Sequence, residues 1–176
     1  MRNSFTSADV ADATLLGTKW NDFYTNLKRS DLTVFPARGR GETFSFAHAL
    51  ECEFQRRLGS RFSRDLAKIV FRLFVSHIRA ENIGESDAHL EQFPGLFLAY
   101  KGNPFFLVFV TETANDPTIF VATSDLNGIE QRIRALAVGM VTEGGPSTYI
   151  TQMADHLIVV NVAPIISRLA LALDAT

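Results

Sequence analysis

The spacing of apolar residues changes character about halfway along the chain, and that change limits what the chain can fold into. Before residue 80 the apolar positions recur at helical intervals. Trp20, Phe23, Tyr24 and Leu27 form one set; Phe46, Ala49, Leu50, Phe54 and Leu58 a second; Leu66, Ile69, Val70, Leu73, Phe74 and Ile78 a third. Each set places its members on one side of a helix, where they form a buried stripe. Beyond residue 93 the pattern becomes short β-branched or aromatic runs at 95–100, 105–110, 118–123 and 156–162. Lys101-Gly102-Asn103-Pro104 and Ala114-Asn115-Asp116-Pro117 separate the first three, which predicts an antiparallel meander. The fold class is therefore α+β, with a helical N-terminal part and a small antiparallel sheet with helices in the C-terminal part.

Local signals add detail. Ser7 is placed to cap a short first helix, Gly17 suits a tight turn, and a second helix runs from Thr18 to about Leu27. Leu32-Thr33-Val34-Phe35 reads as a strand and Thr43-Phe44 as its partner, with the basic loop Pro36 to Gly41 between them as a hairpin. Ser45 and Ser63 are good caps for the next two helices. The polar stretch from Ala80 to Leu90 is the best linker. Further on, 126–141 looks helical, Gly144-Gly145-Pro146 follows it as a loop, and Pro164 opens a last helix. These signals divide the chain into a domain at 1–80, a linker at 81–92 and an α/β domain at 93–176.

Charge changes sign at the same place. Residues 1–80 carry 13 Lys and Arg against 8 Asp and Glu, a balance of +5; residues 81–176 carry 4 against 11, a balance of −7. A basic half suggests a polyanionic partner, although two ordinary solvated surfaces give the same count. Chemistry of other kinds has little support. Cys52 is the single cysteine, so neither a disulfide framework nor a cysteine-based zinc site is available. His48, His77, His89 and His156 lack metal-ligand spacing, and neither a nucleophile elbow, a phosphate loop nor a dinucleotide fingerprint is present. The expectation is a non-enzyme without metal or cofactor. No apolar run reaches membrane-spanning length, and the polar first residues lack a signal-peptide core, which points to the cytoplasm.

The order helix, turn, helix, basic hairpin and capped helix pair resembles the MerR-like winged helix-turn-helix family. Ala11-Asp12-Ala13-Thr14 is similar to that family's first-helix segment, and Phe23-Tyr24 to the aromatic pair ending its recognition helix. Arg38-Gly39-Arg40-Gly41 followed by Phe44-Ser45 resembles the wing and the start of the third helix, and Arg61-Phe62-Ser63 the entry into the fourth. The resemblance covers about Thr6 to Arg79. It departs from the family pattern at Leu15-Leu16-Gly17, at Glu42-Thr43, and in lacking the long dimerising coiled coil. It implies a recognition helix exposing Thr18, Lys19, Asn21, Asp22 and Thr25 to base edges, with Arg38 and Arg40 on the wing. Lys28, Arg56, Arg57, Arg61 and Arg64 are supplementary candidates for the phosphate backbone.

The functional expectation is a sequence-specific transcription regulator that binds double-stranded DNA as a homodimer, since two-fold symmetry doubles the contacts of one module. Two alternatives stay open. One is an architectural DNA-binding protein of excisionase or small-terminase type. The other is a protein-interaction module that no longer binds DNA. Of the 15 phenylalanines, Phe93, Phe97, Phe105, Phe106, Phe109 and Phe120 cannot all enter one core from alternating strands, so some suit a self-association surface or an effector pocket.

Overall fold

Ser45, Ser63 and Thr6 each sit in extended backbone just ahead of a helical run, and each side-chain oxygen accepts a hydrogen bond from a first-turn amide. Those three caps start α1 (Ser7–Ala13), α3 (Phe46–Gly59) and α4 (Arg64–Glu81). The first cap is Thr6 rather than Ser7. Thr6 and Asp9 exchange hydrogen bonds of 3.2 and 2.7 Å, a reciprocal box that Ser7 cannot form one residue later. Between α1 and α2 (Trp20–Arg29), Leu15 and Gly17 both adopt positive φ, and Gly17–Lys19 forms a 3-10 turn. The computed structural model describes residues 2, 4–82, 87–113, 116–125, 127–131 and 156–174.

The segment 32–35 is not a strand, and 36–41 is not the tip of a hairpin. The amides of Val34 and Phe35 donate to the two carboxyl oxygens of Glu51 on α3 instead of to a strand. One turn further along α3, Gln55 Nε2 donates to the Leu32 carbonyl at 3.1 Å. A pair of helix side chains thus takes the place of a neighbouring strand. Phe44 pairs with Phe5, ahead of α1, through two backbone hydrogen bonds of 2.8 Å, and this is the β-bridge at the base of the loop.

Two short helices follow α4: α5 (Asp87–Gln92) and α6 (Gly95–Leu98). The run 95–100 is therefore helical where a strand was expected. Pro94, with φ −59°, presets helical backbone, and a short apolar run has no period long enough to oppose it. The sheet is three-stranded and antiparallel, in the order β2-β1-β3, from β1 (Phe106–Thr113), β2 (Asp116–Thr123) and β3 (His156–Asn161). Its third member is the late strand rather than 95–100, so the sheet is not the expected meander. Helical structure is present at 127–131; the rest of the expected helix at 126–141, and the Gly144-Gly145-Pro146 loop, lie outside the described residues. The last helix, α7 (Ala163–Asp174), begins as expected beside Pro164.

Mixed α+β architecture is thus what the chain adopts. The segments 1–80 and 93–176 both contribute to one continuous buried cluster, from Phe5 and Val10 through Phe54 and Phe74 to Leu107, Val160 and Leu169. Phe74 is its hub, with ring centroids at 5.4 to 6.2 Å from Phe54, Phe97, Tyr100 and Phe105. α7 packs on both α1 and α3.

Burial pushes the Glu51 carboxyl up to about 8, against the pull of the Val34 and Phe35 amides, while burial and then the Arg38 charge push His48 down to about 4. Glu51 holds its proton in the folded state across the window in which an unfolded glutamate loses it, so stability falls as pH rises from about 4.5 to about 8. The unfolded chain protonates His48 below 6.5, so that group removes stability only as pH falls from there toward 4. Between pH 6.5 and 8 Glu51 acts without opposition from His48. Urea titrations in that window should show the native protein losing up to about 1.4 kcal/mol per pH unit, and Glu51→Gln losing markedly less, because the amide has no proton to titrate in that window.

Candidate nucleic-acid interface

α2 is amphipathic, and its buried side organises the ground beside it. Trp20 and Leu27 are buried, whereas Thr18, Lys19, Asn21, Asp22, Thr25, Lys28 and Arg29 are exposed. Trp20 stacks on Tyr24 with centroids 5.1 Å apart at 7°, and both rings meet Phe44 edge-on at 5.5 and 5.2 Å. This aromatic block fixes the loop 36–43 against α2. Tyr24 Oη accepts from the Arg38 amide at 2.7 Å, and Lys28 Nζ donates to the Arg38 carbonyl at 3.1 Å while lying 5.6 Å from the Tyr24 ring centre. Burial raises the Tyr24 phenol to about 12, so it stays protonated at neutral pH.

The loop closes on itself. The Glu42 carboxylate accepts from the Gly39 amide, and Gly41 takes φ +82°, a conformation that favours glycine. A side chain at Gly39 would approach Glu42 to 3.3 Å. Glu42, which stands where the wing pattern has other residues, is thereby a brace of the loop. Arg40 at the tip is exposed, and among the described residues it pairs with no carboxylate.

Arg38 is placed differently. Its guanidinium forms an ion pair with Glu91 on α5, and its Nε donates to His48 Nε2 on α3 at 3.2 Å. His48 Nε2 also lies 3.1 Å from the Pro36 carbonyl, and its Nδ1 lies 2.7 Å from Ser45 Oγ. Burial keeps His48 neutral at pH 7, and Arg38 is turned toward the body of the protein. Desolvation raises the Glu91 carboxyl, and the Arg38 charge acts against that rise.

Between α2 and the loop lies a cleft of about 210 Å³. Asn21, Thr25 and Lys28, at i, i+4 and i+7, line one wall, and Gly39, Arg40 and Gly41 line the other. Asp22 and Arg29 lie one step round the same helix, and Thr18 and Lys19 project from the turn before it. Asn21, Thr25, Lys28, Arg38 and Arg40 therefore meet at one place. Arg56, Arg57, Arg61 and Arg64 do not. They cluster from the last turn of α3 to the start of α4, where Arg56 and Arg57 both bind Glu53.

Reasoning from sequence did not find Tyr24, His48, Glu51, Glu53 or Glu91 as organisers of this region. The signal for Glu51 and Gln55 was their i, i+4 spacing inside a helix otherwise rich in apolar residues. Among the described residues no group of three His, Cys, Asp or Glu side chains is arranged to hold a metal ion, and no helix is long and apolar enough to cross a membrane. Comparison with protein-family models, with curated proteins and with solved structures gives no match.

The two loop arginines should behave differently on truncation. Arg38→Ala leaves Glu91 and His48 without their partner and is expected to lower the unfolding free energy in urea by about 2 kcal/mol. Arg40→Ala should change it by less than about 0.5 kcal/mol.

Proposed function

We propose that the chain binds duplex DNA as a homodimeric transcription regulator of the winged helix-turn-helix kind, with the loop 36–43 standing in the wing position. The observation that carries this reading is the convergence of Asn21, Thr25 and Lys28 with the loop tip at Arg40 across one cleft. These residues are brought together from separate stretches of sequence, and all four present polar or cationic groups to solvent. Asn21 has the donor and acceptor needed for an adenine edge, and Thr25 follows it on the same face. Lys28, Arg40, Lys19 and Arg29 supply the charge that phosphates require, with a cleft of a size suited to a phosphodiester group. Thr18 and Asp22 flank that surface, Asp22 suited to a cytosine amino group. The bridge between Phe5 and Phe44 anchors the loop at its base, as a wing needs.

A second reading is favoured by one specific observation. Arg38 is held by Glu91, and Arg56 and Arg57 by Glu53, so part of the positive charge of the first eighty residues is answered inside the protein. A protein-interaction module that no longer binds DNA would have this property.

Anisotropy titrations with labelled duplexes of unrelated sequence, over a range of salt, separate the two. DNA binding requires affinity that falls steeply with salt. The Lys28→Ala, Arg40→Ala double variant should bind every duplex at least about tenfold more weakly and reduce the salt slope by roughly 2. Asn21→Ala should change which duplex is preferred. Affinity that is absent, or independent of salt, selects the second reading.

A further inference from the structure

The second half of α3 carries a different kind of site. Glu53 there is fully buried in its side chain, and three arginines converge on it. Arg56 grips it through Nε and Nη2 at 2.9 Å each, Arg57 Nε reaches Oε1, and Arg168 Nη2 arrives at the same oxygen from α7. Burial disfavours the charged carboxylate, but the hydrogen bonds from Arg56, Arg57 and Arg168 outweigh it and hold the carboxyl below its ordinary value. Glu53 is therefore ionised at neutral pH, and three guanidinium charges surround one negative charge. Arg61, exposed nearby and paired with no carboxylate among the described residues, adds a fourth positive group.

Beside this cluster opens a cleft of about 400 Å³ between the end of α3 and the junction of β3 with α7. Arg56, Arg57 and Arg61 line one side; Phe62, Val159 and Asn161 are among the others. Phe62 is 46% exposed and Val159 43% exposed, so two large apolar side chains border the same opening as the arginines. Asn161 Oδ1 already accepts from the Ala163 amide at 3.2 Å, and Pro164 has no amide hydrogen to give. The positive potential comes from side chains, in the planar forks that match carboxylate and phosphate oxygens.

We propose that this cleft binds a small organic oxyanion, a carboxylate or phosphate ester carrying a flat apolar group. The oxyanion sits against Arg61 and the outer edges of Arg56 and Arg57, and the apolar group lies against Phe62 and Val159. The volume suits a small ligand. The cleft lies at the opposite end of α3 from the α2 cleft, since Phe44 borders that one and a 14-residue helix is about 20 Å long. It stands independently of the DNA-binding reading.

The test uses calorimetric titration of the full chain with phenyl phosphate, inorganic phosphate and phenol. Phenyl phosphate should bind saturably and roughly tenfold more tightly than either of the other two, because only it addresses both halves of the cleft. Arg61→Ala and Phe62→Ala, both at exposed positions, should each weaken phenyl phosphate by about tenfold while leaving the melting temperature unchanged. The proposal is overturned if phenyl phosphate shows no saturable binding or binds no tighter than its two parts. It is equally overturned if either variant binds like the native protein. An equal loss of duplex DNA and phenyl phosphate binding in Phe62→Ala would assign the cleft to nucleic acid and overturn it as well. Should the duplex titrations show no DNA binding at all, the phenyl phosphate comparison still decides the matter.

Discussion

α3 is enclosed so completely over its first ten residues that the polar side chains there, as well as the apolar ones, are withdrawn from water. His48, Glu51, Glu53 and Gln55 are all buried alongside Phe46, Leu50, Phe54 and Leu58. A buried polar group without a partner costs on the order of 1–3 kcal/mol, more if charged. Each of these four therefore draws another part of the chain to itself. Glu51 and Gln55 hold the backbone of 32–35, His48 receives Arg38 from the loop, and Glu53 gathers Arg56, Arg57 and the C-terminal Arg168. The path of the chain between α2 and α3, and the seating of α7, follow from satisfying one helix.

The same requirement decides where positive charge ends up. Counting residues along the sequence treats every arginine as though its charge reached the solvent. Arg38, Arg56 and Arg57 instead face carboxylates within the fold. What remains outward near α2 is Lys19, Lys28, Arg29 and Arg40, a smaller set of which Lys28 and Arg40 line one cleft. That concentration matters more for recognising an anion than the balance over eighty residues, because screening limits the reach of any exposed charge to about 8–10 Å.

What could be read from the sequence was local. The caps at Ser45 and Ser63, the stripe of α2, the positive φ at Gly17 and the strands β1, β2 and β3 each depend on residues within a few positions. What could not be read depended on distant partners. The β-propensity of 32–35 was real, but Glu51 replaced the neighbouring strand from sixteen or more residues away. The run 95–100 was too short to reveal its period, and Pro94 tipped it into a helix. At the candidate site, the exposed face of α2 was legible, and so was the loop opposite it. The capture of Arg38 by Glu91, 53 positions later, had no local signature.

Phe5 and Leu173 belong to the same buried cluster, and α1 rests on α7. During synthesis, the earliest segments of this core must wait for the latest. Until α7 has left the ribosome, α1 and α3 stand with apolar side chains uncovered and Glu53 lacks Arg168. Such long-range closure slows folding and prolongs exposure of sticky surface. A nascent chain of this design therefore keeps its central apolar surfaces uncovered until translation has passed residue 174.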